Sequence, residues 1–192
     1  MNYYNEIKTE LINNEITKRV KDYSKNRSDS NTYYNVGKLL SEAGKHYGEG
    51  IIKEYSKRLT NELGKGYSIS NLKRMRQFYF VLEKGVAMPH QLSWSHILSI
   101  LPIDDVDKIN YYLDITEMVC ERGTCLRNNY GSVIVKNDEI ISTGYTGAPR
   151  GRKNCLDLGV CRRKESNMPS GSGYEICRSV HSEQNAIISA NR

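Results

Sequence analysis

No cysteine occurs before residue 120; all five, Cys120, Cys125, Cys155, Cys161 and Cys177, lie in the C-terminal part of the chain. The N-terminus, "MNYYNEIKTE", has no apolar signal region. An odd cysteine count without an export signal argues against a disulfide framework and leaves metal binding or buried thiols. Phenylalanine (2) and tryptophan (1) are scarce beside 14 tyrosines, so the core is expected to use tyrosine rings with their hydroxyls at its edge. No apolar run reaches the roughly 18 residues of a membrane span, which excludes a helical membrane protein and gives a cytoplasmic reading. Charge of one sign does not dominate either. A net charge of +6 permits acidic partners such as phosphates without naming one. What is present, 38% apolar and 26% charged residues over 192 positions, fits one large soluble domain or two small ones.

The cysteine-free part reads as helices. From Val36, apolar residues recur at Leu40, Ala43, Tyr47, Ile51, Tyr55, Leu59 and Leu63, with Gly48 and Gly50 placed to bend or split the helix and Gly64 and Gly66 to end it. Ser68 or Ser70 can cap the next helix, whose core face is Leu72, Met75, Phe78 or Tyr79, and Leu82. "LSWSHILSILP" is a short apolar segment stopped by Pro102. Asp104 and Asp105 then precede Val106, Ile109 and Leu113, where a helix start favours negative charge. No strand is expected before about Tyr130. Chemistry is sparse here: Lys73, Arg74 and Arg76 sit beside aromatics as on a nucleic-acid-binding helix, or on an ordinary solvated face. His96, next to Trp94, is expected to be a packed and satisfied histidine.

"TYYNVGKLLSEAG", "YSKRLTNELGKGYSISNLKRMRQFYFVLEK" and "HQLSWSHILSILPIDDVDKINYYL" together resemble the helical N-terminal domain of a bacterial family that usually carries a PD-(D/E)xK-type nuclease. The resemblance covers about residues 15–113 and implies a DNA- or protein-binding module. No nuclease motif follows it, so nuclease activity is not carried over.

The cysteine-bearing part reads differently. "YGSVIVK" and "EIISTGYT" are β-branched runs around Asn137-Asp138, predicting strand, tight turn, strand. A loop rich in Gly, Pro, Cys and basic residues runs from about Gly147 to Val180, and His181 opens a helix with Ala186, Ile187 and Ala190 on its apolar side. Helix, hairpin, cysteine-rich loop and H-x-E helix is the order used by zinc nucleobase deaminases, whose pattern continues to P-C-x-x-C. There one His and two thiolates hold zinc with a fourth position for water, whose pKa the metal lowers. The Glu moves protons between that water, the ring nitrogen and the departing amine.

"TCLRNNYGSVIVKNDEIISTGYTGAPRGRKNCLDLGVC" and "PSGSGYEICRSVHSEQNAIISA" closely resemble the deoxycytidylate (dCMP) deaminase family from about Tyr112 onward. The resemblance implies His181 as zinc ligand, Glu183 as proton shuttle and a nucleotide pocket lined by Thr143–Gly151, with Thr146, Gly147 and Arg150 against the substrate. It also implies a possible second zinc on Cys125, Cys155 and Cys177, with Cys161 as the fourth ligand. Separate buried or surface thiols are the alternative. Zn2+ is the expected cofactor, a pyrimidine deoxynucleotide the expected substrate, and a homo-oligomer a possible assembly.

No P-C-x-x-C is present in these residues. One imidazole is a poor holder of zinc, so the expectation is a chain truncated or recombined within a deaminase and inactive alone. The expected fold is α+β: a helical domain over residues 1–110, then an incomplete cytidine-deaminase-like unit over 111–192. No linker-like segment separates them, and residues 110–115 suit either family. The alternative function is a DNA- or protein-binding helical module fused to a silent deaminase remnant.

Overall fold

A computed structural model describes residues 2–20, 25–87, 92–169 and 171–191. The fold is α+β, in two compact units, Met1–Asn110 and Tyr111–Arg192.

Unit 1 is helical: α1 (Tyr3–Val20), α2 (Lys25–Tyr47), α3 (Ile51–Leu63), α4 (Ile69–Glu83), α5 (Trp94–Ile100) and the start of α6 (Val106–Cys120). The glycines expected to interrupt the long apolar pattern do so, dividing it into α2 and α3. Gly64 (φ +92°) and Gly66 (φ +118°) then take left-handed backbone that a side chain would resist. Ser68 caps α4, its hydroxyl accepting from the Asn71 amide at 3.2 Å. Ile7 and Leu11 of α1 meet Val36, Leu40 and Ala43 of α2, Ile52, Tyr55 and Leu59 of α3, and Leu72 and Met75 of α4 in one core. At Gly37 the α2 backbone lies so close to α4 that a methyl group would sit 2.2 Å from the Met75 carbonyl oxygen.

Three expectations change here. The α4 core face uses Val81, leaving Leu82 half-buried, and Tyr47 is 59% exposed rather than core-facing. "LSWSHILSILP" forms a helix capped by Ser93. His96 is exposed and part of that cap, its Nδ1 accepting from the Ser93 amide at 3.3 Å. The first residues, read only for the lack of an export signal, form α1 and bury Tyr3, Tyr4, Ile7 and Leu11.

Unit 2 holds the rest of α6, strands β1 (Gly131–Lys136) and β2 (Glu139–Tyr145), short helices α7 (Cys155–Leu158) and α8 (Arg162–Glu165), a 3-10 turn at Tyr174–Ile176, and α9 (Ser182–Ala190). The strands pair antiparallel around Asn137 (φ +51°) and Asp138 (φ +70°), the two-residue turn whose twist suits a hairpin. Ser142 opposes Ile134 but Ile140 opposes Val135, so Ile141 is an extra residue and β2 bulges. Gly131 and Gly144 lie on opposite faces of the hairpin, since Gly131 pairs with Tyr145 and Ser132 with Gly144. A Cβ on Gly131 would lie 2.1 Å from the Thr116 carbonyl oxygen of α6; one on Gly144 would lie 2.1 Å from the Ser182 carbonyl oxygen of α9. The hairpin is therefore sandwiched between two helix backbones that approach it at glycines. Tyr112 of α6 donates to Asp138 Oδ1 at 2.7 Å, tying the hairpin turn, and that hydrogen bond with burial pushes the phenol up to about 12.

Candidate active site

The site is built at the start of α9. His181 is the residue before the helix, with extended backbone (φ −65°, ψ 152°), and its amide donates to Gln184 Oε1 at 3.1 Å. Glu183 stands in the first helical turn, where a carboxylate complements the helix dipole. Its Oε2 accepts from the Ser182 hydroxyl at 3.1 Å. The imidazole and the carboxylate are both exposed, while Ser182 between them is 1% exposed and faces the hairpin. That alternation follows from Gly144, whose missing side chain lets the first turn of α9 rest on β2.

The helix is pinned at three further points. Ser142 Oγ donates to the Ala186 carbonyl at 2.7 Å inside the interface. Asn185 Nδ2 donates to the carbonyls of Tyr145 (2.8 Å) and Gly147 (3.2 Å), joining α9 to the strand end where the loop begins. Across the loop, the Val180 amide donates to the Gly147 carbonyl at 3.0 Å, so Gly147 and Val180 form an isolated bridge just before His181. The stretch expected as a loop from about Gly147 to Val180 thus begins and ends at one point and contains α7, α8 and the 3-10 turn.

Thr146 and Gly147 are buried and occupied with this framework. The Thr146 amide donates to the Tyr130 carbonyl at 3.0 Å, and its hydroxyl accepts from the Tyr130 amide at 3.1 Å. A Cβ at Gly147 would meet the Thr124 hydroxyl at 2.4 Å. Arg150 is exposed. Of the three, only Arg150 presents its side chain to solvent; Thr146 and Gly147 shape the backbone around which His181 is placed.

Sequence reading missed Asn154, whose Oδ1 accepts from the Thr124 hydroxyl (2.9 Å) and the Ala148 amide (3.2 Å). It also missed Asn185 and Tyr174. The Tyr174 ring lies 5.5 Å from the His181 ring, and the Arg163 guanidinium stands 4.2 Å over Tyr174. Arg163 is only 7% exposed, so the stack holds a buried cation through the ring's π-face. Asn185 was legible in principle: four residues after His181, it falls one turn further along the same helix face. Asn154 and Tyr174 carry no periodic signal.

The thiols are distributed. Cys155 is buried with Sγ 3.6 Å from the Ser179 hydroxyl, Cys161 is buried at the start of α8, and Cys125 Sγ accepts from the Arg127 amide at 3.4 Å. Cys177 is half-buried at the end of the 3-10 turn. Burial raises the Cys120 thiol. Among the described residues no group of three or more His, Cys, Asp or Glu side chains is placed to hold a metal ion. Cys125, Cys155, Cys161 and Cys177 fall in no such group. His181 likewise belongs to no such group among the described residues.

A family model described as the DUF1016 N-terminal domain matches residues 7–136, more than half of the chain. The chain belongs to that family. Within this DUF1016-domain protein a second model, the cytidine and deoxycytidylate deaminase zinc-binding region, matches residues 106–192. The two matches share residues 106–136, wider than the 110–115 expected to suit both families. The deoxycytidylate deaminase of Schizosaccharomyces pombe is 34% identical over 83 residues, 43% of this chain and 26% of that enzyme. That of Mycobacterium phage D29 is 36% identical over 87 residues, 43% of this chain and 66% of that enzyme. ComE operon protein 2 of Bacillus subtilis is 28% identical over 82 residues, 39% of its length. The chain therefore spans about a quarter of the yeast enzyme and about two thirds of the phage one. No solved structure matches. Among the described residues, no helix is long and apolar enough to cross a membrane.

Proposed function

We propose that residues 111–192 are the nucleotide-facing part of a zinc-dependent hydrolytic deaminase of dCMP or a related pyrimidine deoxynucleotide, and that this stretch alone turns over no substrate. The observation that carries the reading is the seating of His181 and Glu183: both exposed, two residues apart, on a helix start fixed to β2 by Gly144, Ser142 and Asn185. That seating supports His181 as one ligand of a metal and Glu183 as the group that carries protons beside it. Arg150, exposed where the loop leaves the strand, suits a phosphate neighbour. The matches to deoxycytidylate deaminases support the substrate class. With a single imidazole in the donor set, the residues present do not fit zinc, and no chemical step is assigned to the metal here.

The test supplies what the donor set lacks. The 192-residue polypeptide, purified, is expected to carry no stoichiometric zinc and to leave the absorbance of dCMP unchanged. The same chain extended by a deaminase segment bearing P-C-x-x-C is expected to bind one zinc and convert cytosine to uracil, with turnover abolished by Glu183→Gln. Zinc binding without deamination in the extended protein would sink the substrate assignment. Tight zinc and turnover in the unextended chain would sink the claim that it is inactive.

A further inference from the structure

Between Gly147 and Val180 the chain makes an excursion, and one side chain of that excursion reaches back to the site. Gly173 (φ +69°) takes left-handed backbone and opens the 3-10 turn, which the Cys177 amide closes by donating to the Tyr174 carbonyl at 3.1 Å. A Cβ on Gly173 would lie 2.8 Å from Met168 Cγ, so the turn packs against the segment that follows α8. The Tyr174 ring meets the Arg163 guanidinium, 4.2 Å from its centroid, and lies 5.5 Å from the His181 ring at an interplanar angle of 36°. The neck of the excursion is tied a second time by Arg178 Nε, which donates to the Lys153 carbonyl.

The exposures of the three residues differ in a way that bears on what the ring does. Arg163 is buried and its Nε has no hydrogen-bond partner, so the π-face of Tyr174 is what offsets the desolvated cation. Tyr174 itself is 51% exposed, so its ring does more than fill a core. His181 is exposed, and solvent alone leaves an imidazole several rotamers. Gly144, Asn185 and the Gly147–Val180 bridge fix where the His181 side chain starts, not where its ring points.

We infer that Tyr174, steadied by Arg163, is a positioning residue of the site: through ring contact it sets the direction of the His181 imidazole. A site side chain is useful only when its neighbours hold it to within about 10–20° of the productive direction. The inference rests on the deaminase reading for the use of His181 alone. The pose of the ring is observable without metal, substrate or turnover.

In the 192-residue chain, NMR at one fixed pH reads the His181 ring protons and the cross-relaxation between the Tyr174 and His181 rings. The parent should show those cross-peaks and a ring-current shift at His181. Tyr174→Phe should keep the shift, Tyr174→Leu should abolish it, and Arg163→Met should reduce it, with the Val180 amide unmoved in each as the sign that the bridge is intact. In the extended protein described above, Tyr174→Leu should lower kcat by at least about tenfold with KM unchanged, and Tyr174→Phe should retain the parent's kcat. The inference is overturned by absent cross-peaks in the parent, or by a Tyr174→Leu or Arg163→Met variant whose His181 shifts match the parent's. It is overturned equally by a loss expressed in KM, which would make Tyr174 a substrate contact instead. An extended protein that turns over nothing would sink the deaminase reading, while the cross-peaks and shifts still decide this one.

Discussion

In residues 1–110 the buried surface comes from long side chains of several helices, with Ile7, Leu40, Leu59, Leu72 and Phe78 essentially solvent-free. In residues 111–192 the buried apolar positions are few and mostly small, Ala148, Cys155, Cys161 and Ala186 among them, while Ile141, Leu156, Ile187 and Ile188 remain exposed. There, order comes from close backbone approach at Gly131 and Gly144 and from side chains that bond to main chain: Ser142, Thr146, Asn154 and Asn185. The difference teaches that the first unit closes a core of its own, which tolerates polar change at its surface. The second is a scaffold of exact fits with little apolar burial behind it, and each lost fit is felt at the residues it positions.

That comparison can be broken by mutation. The largest effect is expected at Phe78→Ala, a truncation in the fully packed first unit costing about 3–5 kcal/mol. Trp94, the only tryptophan, is 5.7 Å from Phe78 and 4.5 Å from Tyr33 by ring centroids, so its fluorescence in denaturant reads the first unit alone. A midpoint equal to the parent's would mean the core is not closed as described. Next, Gly144→Val should cost about 1–3 kcal/mol by forcing α9 off β2. Amide exchange should quicken through α9 while the Trp94 transition stays in place; a shift of that transition instead would show that the units are not separately stabilised. Asn185→Ala should cost about 1–2 kcal/mol for two lost hydrogen bonds to carbonyls. Faster exchange of the Val180 amide would locate the loss, and unchanged exchange would remove Asn185 from the site's framework.

The smallest effect is electrostatic. Hydrogen bonding from Lys8, Arg76 and Lys45 holds Glu62, Glu49 and Glu42 below the ordinary carboxylate value. A depressed folded pKa means the unfolded chain binds the proton more readily. The stabilisation is therefore present above about pH 4.5 and is lost as pH falls through the folded values. These groups are solvent-exposed, so the Trp94 transition should shift only slightly on acidification, and less in high salt. A large shift, or one in the opposite direction, would contradict the pairing.

Much of this was legible in the residues. Period-two runs around Asn137-Asp138 gave the hairpin, glycine placement gave the break between α2 and α3, and His181 stands at the helix start where it was expected. The bulge at Ile141 was not legible, because alternation along β2 reads the same with or without one slipped residue. Gly131 and Gly144 look like unremarkable strand glycines until the helix backbones facing them are known. Ile187 reads as an apolar-face residue of α9, yet the interface is made by Ser182 and Ala186, whose small size permits the approach. At the site, residue type pointed to His181 and Glu183. The roles of Thr146 and Asn154 depend on long-range main-chain partners that no local spacing encodes.

The bridge between Gly147 and Val180 has a consequence for how this region can change. Because the excursion leaves and returns at one spot, its length is uncoupled from the separation of strand and helix. Peptide added or removed near its far side, around Ser166 and Asn167, alters closure entropy only slowly with length and leaves the Gly147–Val180 bridge in place. Only the tip of the excursion is a place to insert a reporter, since Asn154, Arg163 and Tyr174 on either side of it are tied to the framework and to the His181 ring.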